Sequence, residues 1–437
     1  MTTQDVPDHS VADSPMTIES GRRAGIAGGV GTMIEGYDNS IYAYMAVFLA
    51  PLFFPSDDAV TSLLSTLTVF AAAYVVRPLG GLLFGYIGDR VSRRTALLTT
   101  LLCMGGASTA IGLLPTHADI GPAAAALLVA LRMVQGMSVG GEVAGASTVV
   151  SEAAPAQARG RFGALNPFGA TMGFAVASAT AGTLTFLITP EQMQSWGWRI
   201  PFIFALPLTV ICWMLRRQLS NHSAPRTKEQ TERAPVIQLL RESPIPLLQS
   251  VGLSLSVNGT AYFGLAYLSI HLIDRLGYPK TSVFWTTTLV VALAALLMLP
   301  VGRLADRIGL IPTAIIGLTG YLVLTYPAMA LMEIGSLPLA GVALAMIMVN
   351  TSFLQVAGYA SVPELFPPRI RYTGTAVGWN VGVVIAGGTA PVIAVWLIEA
   401  SGSSRAPTLF VAVCSAIGLL AAGTILASRR SGSEKLE

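Results

Sequence analysis

Glu35 and Asp38 stand three residues apart in the stretch GTMIEGYDNSIY (Gly31–Tyr42), inside an apolar run from Ala24 to Phe54. Three residues is close to one helical turn, so the two carboxyls share roughly one face. Arg77, Arg132 and Glu142 are embedded in apolar sequence in the same way. At ~1.5 Å of rise per residue, Glu35 lies about 16 Å from the start of its run. Arg77 lies about 18 Å from Asp89, and Arg132 about 15 Å from the outer end of its own run. A charge at the centre of a bilayer costs roughly 2.5–3.5 kcal/mol on insertion scales, so such groups face inward and pair. Arginine stays protonated. Three acids against two guanidiniums therefore leave one carboxyl without a full partner. Burial disfavours its charged form, and a carboxyl poised to bind and release a proton is what proton coupling requires. Glu35 and Asp38, with Glu142 as a third acid, are the candidate proton carriers. Arg77 and Arg132 are candidate counter-charges or carboxylate anchors, because guanidinium grips a carboxylate bidentately. The competing expectation is a permanent ion-pair network that only ties helices together.

The composition says what surrounds these charges. The chain has 437 residues, 53% hydrophobic and 11% charged, with mean hydropathy +0.65. A soluble domain carries about 25% charged residues, so the solvent here is lipid. A formal net charge of +3 gives no reason to expect a nucleic-acid partner. Cys103, Cys212 and Cys414 lie far apart in apolar runs and read as packed thiols rather than metal ligands. There is no GxxxxGK[ST] phosphate loop, no HExxH and no catalytic Cys/His set, so neither an enzyme nor a metal or other cofactor is expected. The polar, acidic N-terminus lacks a basic region leading into a short apolar one, and does not read as a signal peptide.

A bilayer core needs about 20 apolar residues in a helix, and backbone groups in lipid must bond internally. Twelve runs qualify, near 24–54, 60–88, 95–114, 122–150, 160–188, 198–216, 246–273, 282–303, 310–332, 337–361, 372–399 and 407–428. With the N-terminus inside, twenty Lys/Arg fall on the inner side and four, Arg199, Arg275, Lys280 and Arg405, on the outer. This bias places both termini in the cytoplasm of a multi-pass cell-membrane protein. The chain also repeats: GYIGDRV (85–91) reappears as GRLADRI (302–308), and EAAPAQARGR (152–161) as ELFPPRIR (364–371), at offsets of 217 and 212 residues. Two motifs at nearly one offset imply two six-helix halves of one topology, a known transporter plan. The expected layout is a disordered cytoplasmic segment 1–22, a six-helix bundle 23–216, a cytoplasmic linker 217–244, a second bundle 245–428 and a tail 429–437.

These loops carry a resemblance. GYIGDRVSRR resembles the loop between helices 2 and 3 of the major facilitator superfamily. VRPLGGLLFGYIGDR, RMVQGMSVGGEVAGAS, WGWRIPFIFALPL and PELFPPRIRYTGTAVGWN are similar to its metabolite:H⁺ symporter family, and GASTVVSEAAP most to the proline/betaine branch. The resemblance implies an all-α membrane protein with the twelve-helix, pseudo-symmetric major facilitator fold, acting as a monomer on protons and a small-molecule substrate. It implies a proton-coupled symporter importing a small carboxylate or zwitterion of the proline/betaine, shikimate or di/tricarboxylate class by alternating access. The alternative is a proton-driven antiporter or exporter, whose GxxxGPxxGG pattern is absent from GALNPFGATMG (163–173).

The family's cavity is lined mainly by helices 1, 4, 7 and 10, which makes Tyr37, Tyr42, Asn258, Tyr262, Asn350 and Gln355 candidate substrate contacts. Asp89, with Arg93 and Arg94, is the candidate latch of the outward-facing state. Asp306 and Arg307 are its expected weaker counterpart, because ADRIGLIP lacks the following basic pair. Gly36 replaces the aromatic usual after the first-helix Glu. Ladders of small residues, Gly136/Gly140, Gly169/Gly173 and Gly374/Gly378/Gly382, let helices approach closely, either to pack or to slide.

Overall fold

A computed structural model describes residues 18–90, 93–140, 147–148, 150–151, 154–217, 235–368 and 370–433. The apolar runs become twelve helical columns. In the first half they are α1 (Ile18–Phe53), α2 (59–90), α3 (Arg93–Gly112), α4 (Ala123–Val139), α5 (Arg159–Leu187) and α6 (197–217). In the second they are α7 (244–275), α8 (Lys280–Ile308), α9 (Leu310–Met332), α10 (Leu337–Ser361), α11 (Arg371–Ser401) and α12 (Pro407–Ser433). Seven helices among the described residues are long and apolar enough to cross a membrane on length and composition alone. The others are interrupted or carry polar residues, as α1 does with Glu35 and Asp38. Because the columns alternate in direction, both ends of the described chain lie at one end of the bundle, here the terminal end; the other is the distal end.

The glycine ladders pack helices within each half. A Cβ on Gly80 would come within 1.7 Å of the Met137 carbonyl oxygen, and one on Gly136 within 1.8 Å of that of Ala73, so α2 and α4 cross backbone to backbone. Gly36 belongs to a similar crossing: a Cβ there would lie 2.3 Å from the Ala170 carbonyl oxygen of α5. Gly378 and Gly382 seat α11 on Ser250 and Ser254 of α7. The Cβ positions of these ladder glycines meet neighbours within their own half, while the Gly140 carbonyl also accepts across the seam from Asn380.

Helices α7 and α11 are locally unwound into π-turns at Phe263–Tyr267, His271–Arg275 and Val383–Gly387. Such turns cluster at functional sites. Within the expected linker, Pro235–Glu242 is helical and buries Leu239 against Phe366 and Ile370.

The seam is closed at both ends. At the terminal end Asp306 of α8 accepts from the backbone N–H of Gly160 at 2.7 Å and of Arg161 at 3.2 Å, on the first turn of α5. The residue before that turn, Ala158, has no side-chain cap to offer, so the other half supplies a carboxylate to the helix N-terminus. Arg159 pairs with Glu364 at 3.2 Å, and Asn380 of α11 donates to the Gly140 carbonyl at 2.9 Å. At the distal end Ser178 donates to the Phe284 carbonyl at 2.8 Å, Thr281 to that of Thr185 at 3.0 Å, and Tyr44 to that of Leu265 at 2.8 Å. The Lys280 ammonium lies 4.4 Å from the Phe48 ring centre.

Candidate functional site

Between the closed ends lies a small cavity of about 30 Å³, little more than a water's space. It is lined by Thr32, Glu35, Gly36 and Asn39 of α1, Arg77 of α2, Ala170 and Phe174 of α5, Asn258 and Tyr262 of α7, Tyr359 of α10 and Trp379 of α11. Glu35 and Arg77 are 7% and 5% exposed, so a buried acid and a buried guanidinium share one chamber. Arg77 rests over the Tyr74 ring, 3.9 Å from its centre, and its Nε makes no hydrogen bond. Asn39 donates to the hydroxyls of Tyr74 at 2.7 Å and Tyr262 at 2.8 Å. Aromatic rings close both sides. Tyr359 and Trp379 meet edge to face at 4.7 Å toward the terminal end. Toward the distal end Tyr262 meets Tyr74 at 5.4 Å and Phe174 at 5.9 Å, both edge on.

The four expected midplane charges form two groups, not one. Asp38 and Arg132 lie inside the first half, 4% and 2% exposed. Ser108 donates to Asp38 Oδ1, and Gln135 Nε2 donates to Asp38 Oδ2 at 3.2 Å. Arg132 Nη1 donates to Gln135 Oε1 at 2.9 Å, so the amide relays between acid and guanidinium. Arg132 also sits 4.2 Å over the Tyr42 ring and 5.5 Å over Phe70. These rings stand where a second cavity anchor was expected.

Of the other expected contacts, Asn258 and Tyr262 line the cavity. Tyr37, Tyr42, Asn350 and Gln355 do not. The Tyr37 hydroxyl donates to the Pro201 carbonyl of α6 at 3.0 Å, and that of Tyr42 to the Thr66 carbonyl at 3.1 Å. Asn350 donates to its own helix at Met346 and abuts Gly320 of α9. Gln355 is buried, its Oε1 without a partner. Arg307 is exposed, whereas Asp306 bridges the halves. Glu142 lies outside the described residues, as do the side chains of Asp89, Arg93 and Arg94.

Sequence reasoning missed Asn39, Tyr74, Phe174, Tyr359, Trp379, Gln135 and the Arg159–Glu364 pair. Gln135 follows Arg132 by one turn, a spacing at which side chains meet. Asn39 abuts Asp38, and Trp379 stands in a quoted motif. The aromatic residues carry no signal distinguishing them from packing.

Comparison with known proteins agrees with this architecture. Residues 26–221 match the family described as Sugar (and other) transporter, and residues 250–437 match the Major Facilitator Superfamily. The ectoine/proline transporter ProP of Corynebacterium glutamicum is 33% identical over 423 residues, spanning 93% of this chain and 83% of its own. The proline/betaine transporter of Salmonella typhimurium is 32% identical over 412 residues, spanning 91% and 82%. Among solved structures, a D-xylose-proton symporter superposes with TM-score 0.71 at 18% identity, covering 90% of this chain and 96% of the other, a likeness of fold alone. Relatives named as transporters, together with the family matches and two six-helix halves around a chamber, make this a multi-pass membrane transporter, not an enzyme. The chain belongs to the major facilitator superfamily, as its loop motifs implied.

Proposed function

We propose that the protein is a proton-coupled symporter that imports a small zwitterion by alternating access. The observation that carries this reading is that Glu35 and Arg77 line the same buried cavity. Arg77 is the carboxylate anchor, its guanidinium backed by the Tyr74 ring and turned to the chamber. Glu35 is the proton carrier, because the one carboxyl among the described residues of the chamber senses both substrate and proton. With Arg132 held behind Tyr42 and Phe70, a di- or tricarboxylate lacks a second guanidinium. A ligand with one carboxylate answers Arg77, and with Glu35 protonated the aromatic Tyr262, Tyr359 and Trp379 of the lining receive its cationic nitrogen. Relatives named for ectoine, proline and betaine support this class. The basic-residue bias supports cytoplasmic termini, and a chamber built within one chain supports a functional monomer.

The test is uptake into proteoliposomes under an imposed pH gradient, across L-proline, glycine betaine, shikimate and citrate. Zwitterion accumulation that follows the gradient is expected, with Glu35→Gln abolishing accumulation while sparing substrate exchange. Accumulation of citrate in preference to the zwitterions, or of any substrate indifferently to pH, overturns the reading. A second carrier is favoured by one observation, the Ser108 and Gln135 hydrogen bonds that single out Asp38. Gradient-driven accumulation that survives Glu35→Gln and fails in Asp38→Asn moves the proton there.

A further inference from the structure

Asn39 sits where the chamber, the seam and the distal aromatic roof meet. Its amide nitrogen gives one hydrogen to Tyr74 of α2 and the other, across the seam, to Tyr262 of α7. Its amide oxygen faces Arg77 Nη2 at 3.5 Å. That last contact is at the outer limit of a hydrogen bond and yields to a better acceptor. A carboxylate, bound bidentately and charge to charge, is such an acceptor. Both hydroxyls belong to the roof. Tyr74 is wedged against Gly388 of α11, where a Cβ would come within 2.5 Å of its ring. Tyr262 immediately precedes the π-turn Phe263–Tyr267, a kind of irregularity frequent at functional sites. Because Asn39 and Tyr262 lie on different halves, the distal mouth opens only when their hydrogen bond parts.

We propose that Asn39 is the positioning residue that couples occupancy of Arg77 to closure of the distal mouth. This rests on the reading of Arg77 as carboxylate anchor. When a carboxylate takes the guanidinium, the Asn39 amide is released from Arg77 and keeps its two hydrogen bonds to the tyrosines without that competing pull, holding α7 on α1 and α2. A loaded transporter thereby holds its distal side shut, while an empty one opens it more readily.

The experiment reads the distal mouth directly. Phe48, 5% exposed beside Lys280, becomes Cys in a chain whose Cys103, Cys212 and Cys414 are serine. Its labelling by a membrane-impermeant maleimide is followed in proteoliposomes with and without L-proline or glycine betaine. The parent labels more slowly with substrate present. Asn39→Ala labels about threefold to tenfold faster without substrate, the worth of one net hydrogen bond, and substrate no longer slows it. Tyr262→Phe, which deletes only a hydroxyl, behaves alike, and the double variant is no faster than either single one. Asn39→Gln, which keeps the amide, restores part of the substrate effect. Parental labelling in Asn39→Ala, retained slowing by substrate, or multiplying effects in the double variant overturns the proposal. Should Asn39→Ala not yield folded protein, Tyr262→Phe decides in the same way. If neither probe slows the parent, the carboxylate-anchor reading fails, while the substrate-free comparison of Asn39→Ala with the parent still decides whether the bridge holds the mouth.

Discussion

Glu35 and Asp38 are one helical turn apart and end in different places. Three residues rotate a side chain by about 300°, which leaves the two about 60° apart around α1. That angle straddles a boundary, with the seam on one side and the interior of the first half on the other. Sequence gave the depth of both acids and of Arg77 and Arg132, because depth is residue count times rise. It did not give azimuth, because the helix face that meets the seam depends on how neighbouring columns pack. The same gap explains Tyr37 and Tyr42, which flank Asp38 and Asn39 yet bond to α6 and α2. Two outcomes follow at this scale. Gln135→Leu cuts the relay between Arg132 and Asp38, leaving Asp38 with Ser108 alone and Arg132 with the Tyr42 and Phe70 ring faces. It lowers stability by on the order of 1–3 kcal/mol, measured as thermal unfolding in detergent. Arg77→Lys keeps the charge and loses the bidentate grip, raising the KM for zwitterion uptake by roughly tenfold or more, with maximal velocity less affected.

Among elements, the glycine ladders were legible as close-approach surfaces, but not which neighbour each one meets. Gly36 shows why a small residue follows Glu35: the Ala170 carbonyl of α5 occupies the space of a side chain. Gly36→Val is expected to cost roughly 1–3 kcal/mol through forced separation of α1 and α5, seen as a lower unfolding temperature and poorer expression. Asp306 was expected to be the weaker of two latches, since its loop lacks the basic pair. Its strength comes instead from a helix end, where two backbone N–H groups of α5 have no cap of their own. The GRLADRI motif singled out Asp306, but not which helix end it meets. Asp306→Asn removes the charge and weakens this cap by about 0.5–2 kcal/mol. A cysteine placed beside Gly160 should then label faster from the terminal side.

For the whole molecule, the twelve columns, the internal duplication and the superfamily were readable because lipid permits few backbone arrangements and each half repeats the other's loop signals. The closed state was not, because closure rests on pairs brought together across the seam from distant parts of the chain. Outside the membrane-spanning helices, the Arg405 guanidinium, 2.6 Å from Glu333, holds that carboxyl below its ordinary value of 4.5. A lowered folded-state value means this link contributes stability above pH 4.5 and loses it as the pH falls further. Thermal stability should decline on acidification below that point, and Arg405→Gln should flatten the decline.

Among the described residues the chamber is lined by one guanidinium and one carboxyl, and on the proposed reading this sets the electrical side of the cycle. A dipolar cargo adds no net charge, so on the proposed reading the proton on Glu35 is the whole charge that crosses with it. The loaded passage then moves one positive charge and the empty return moves none. A membrane potential of 100 mV, negative inside, would contribute about 2.3 kcal/mol per cycle, roughly a fiftyfold gain in accumulation, entirely through the loaded step.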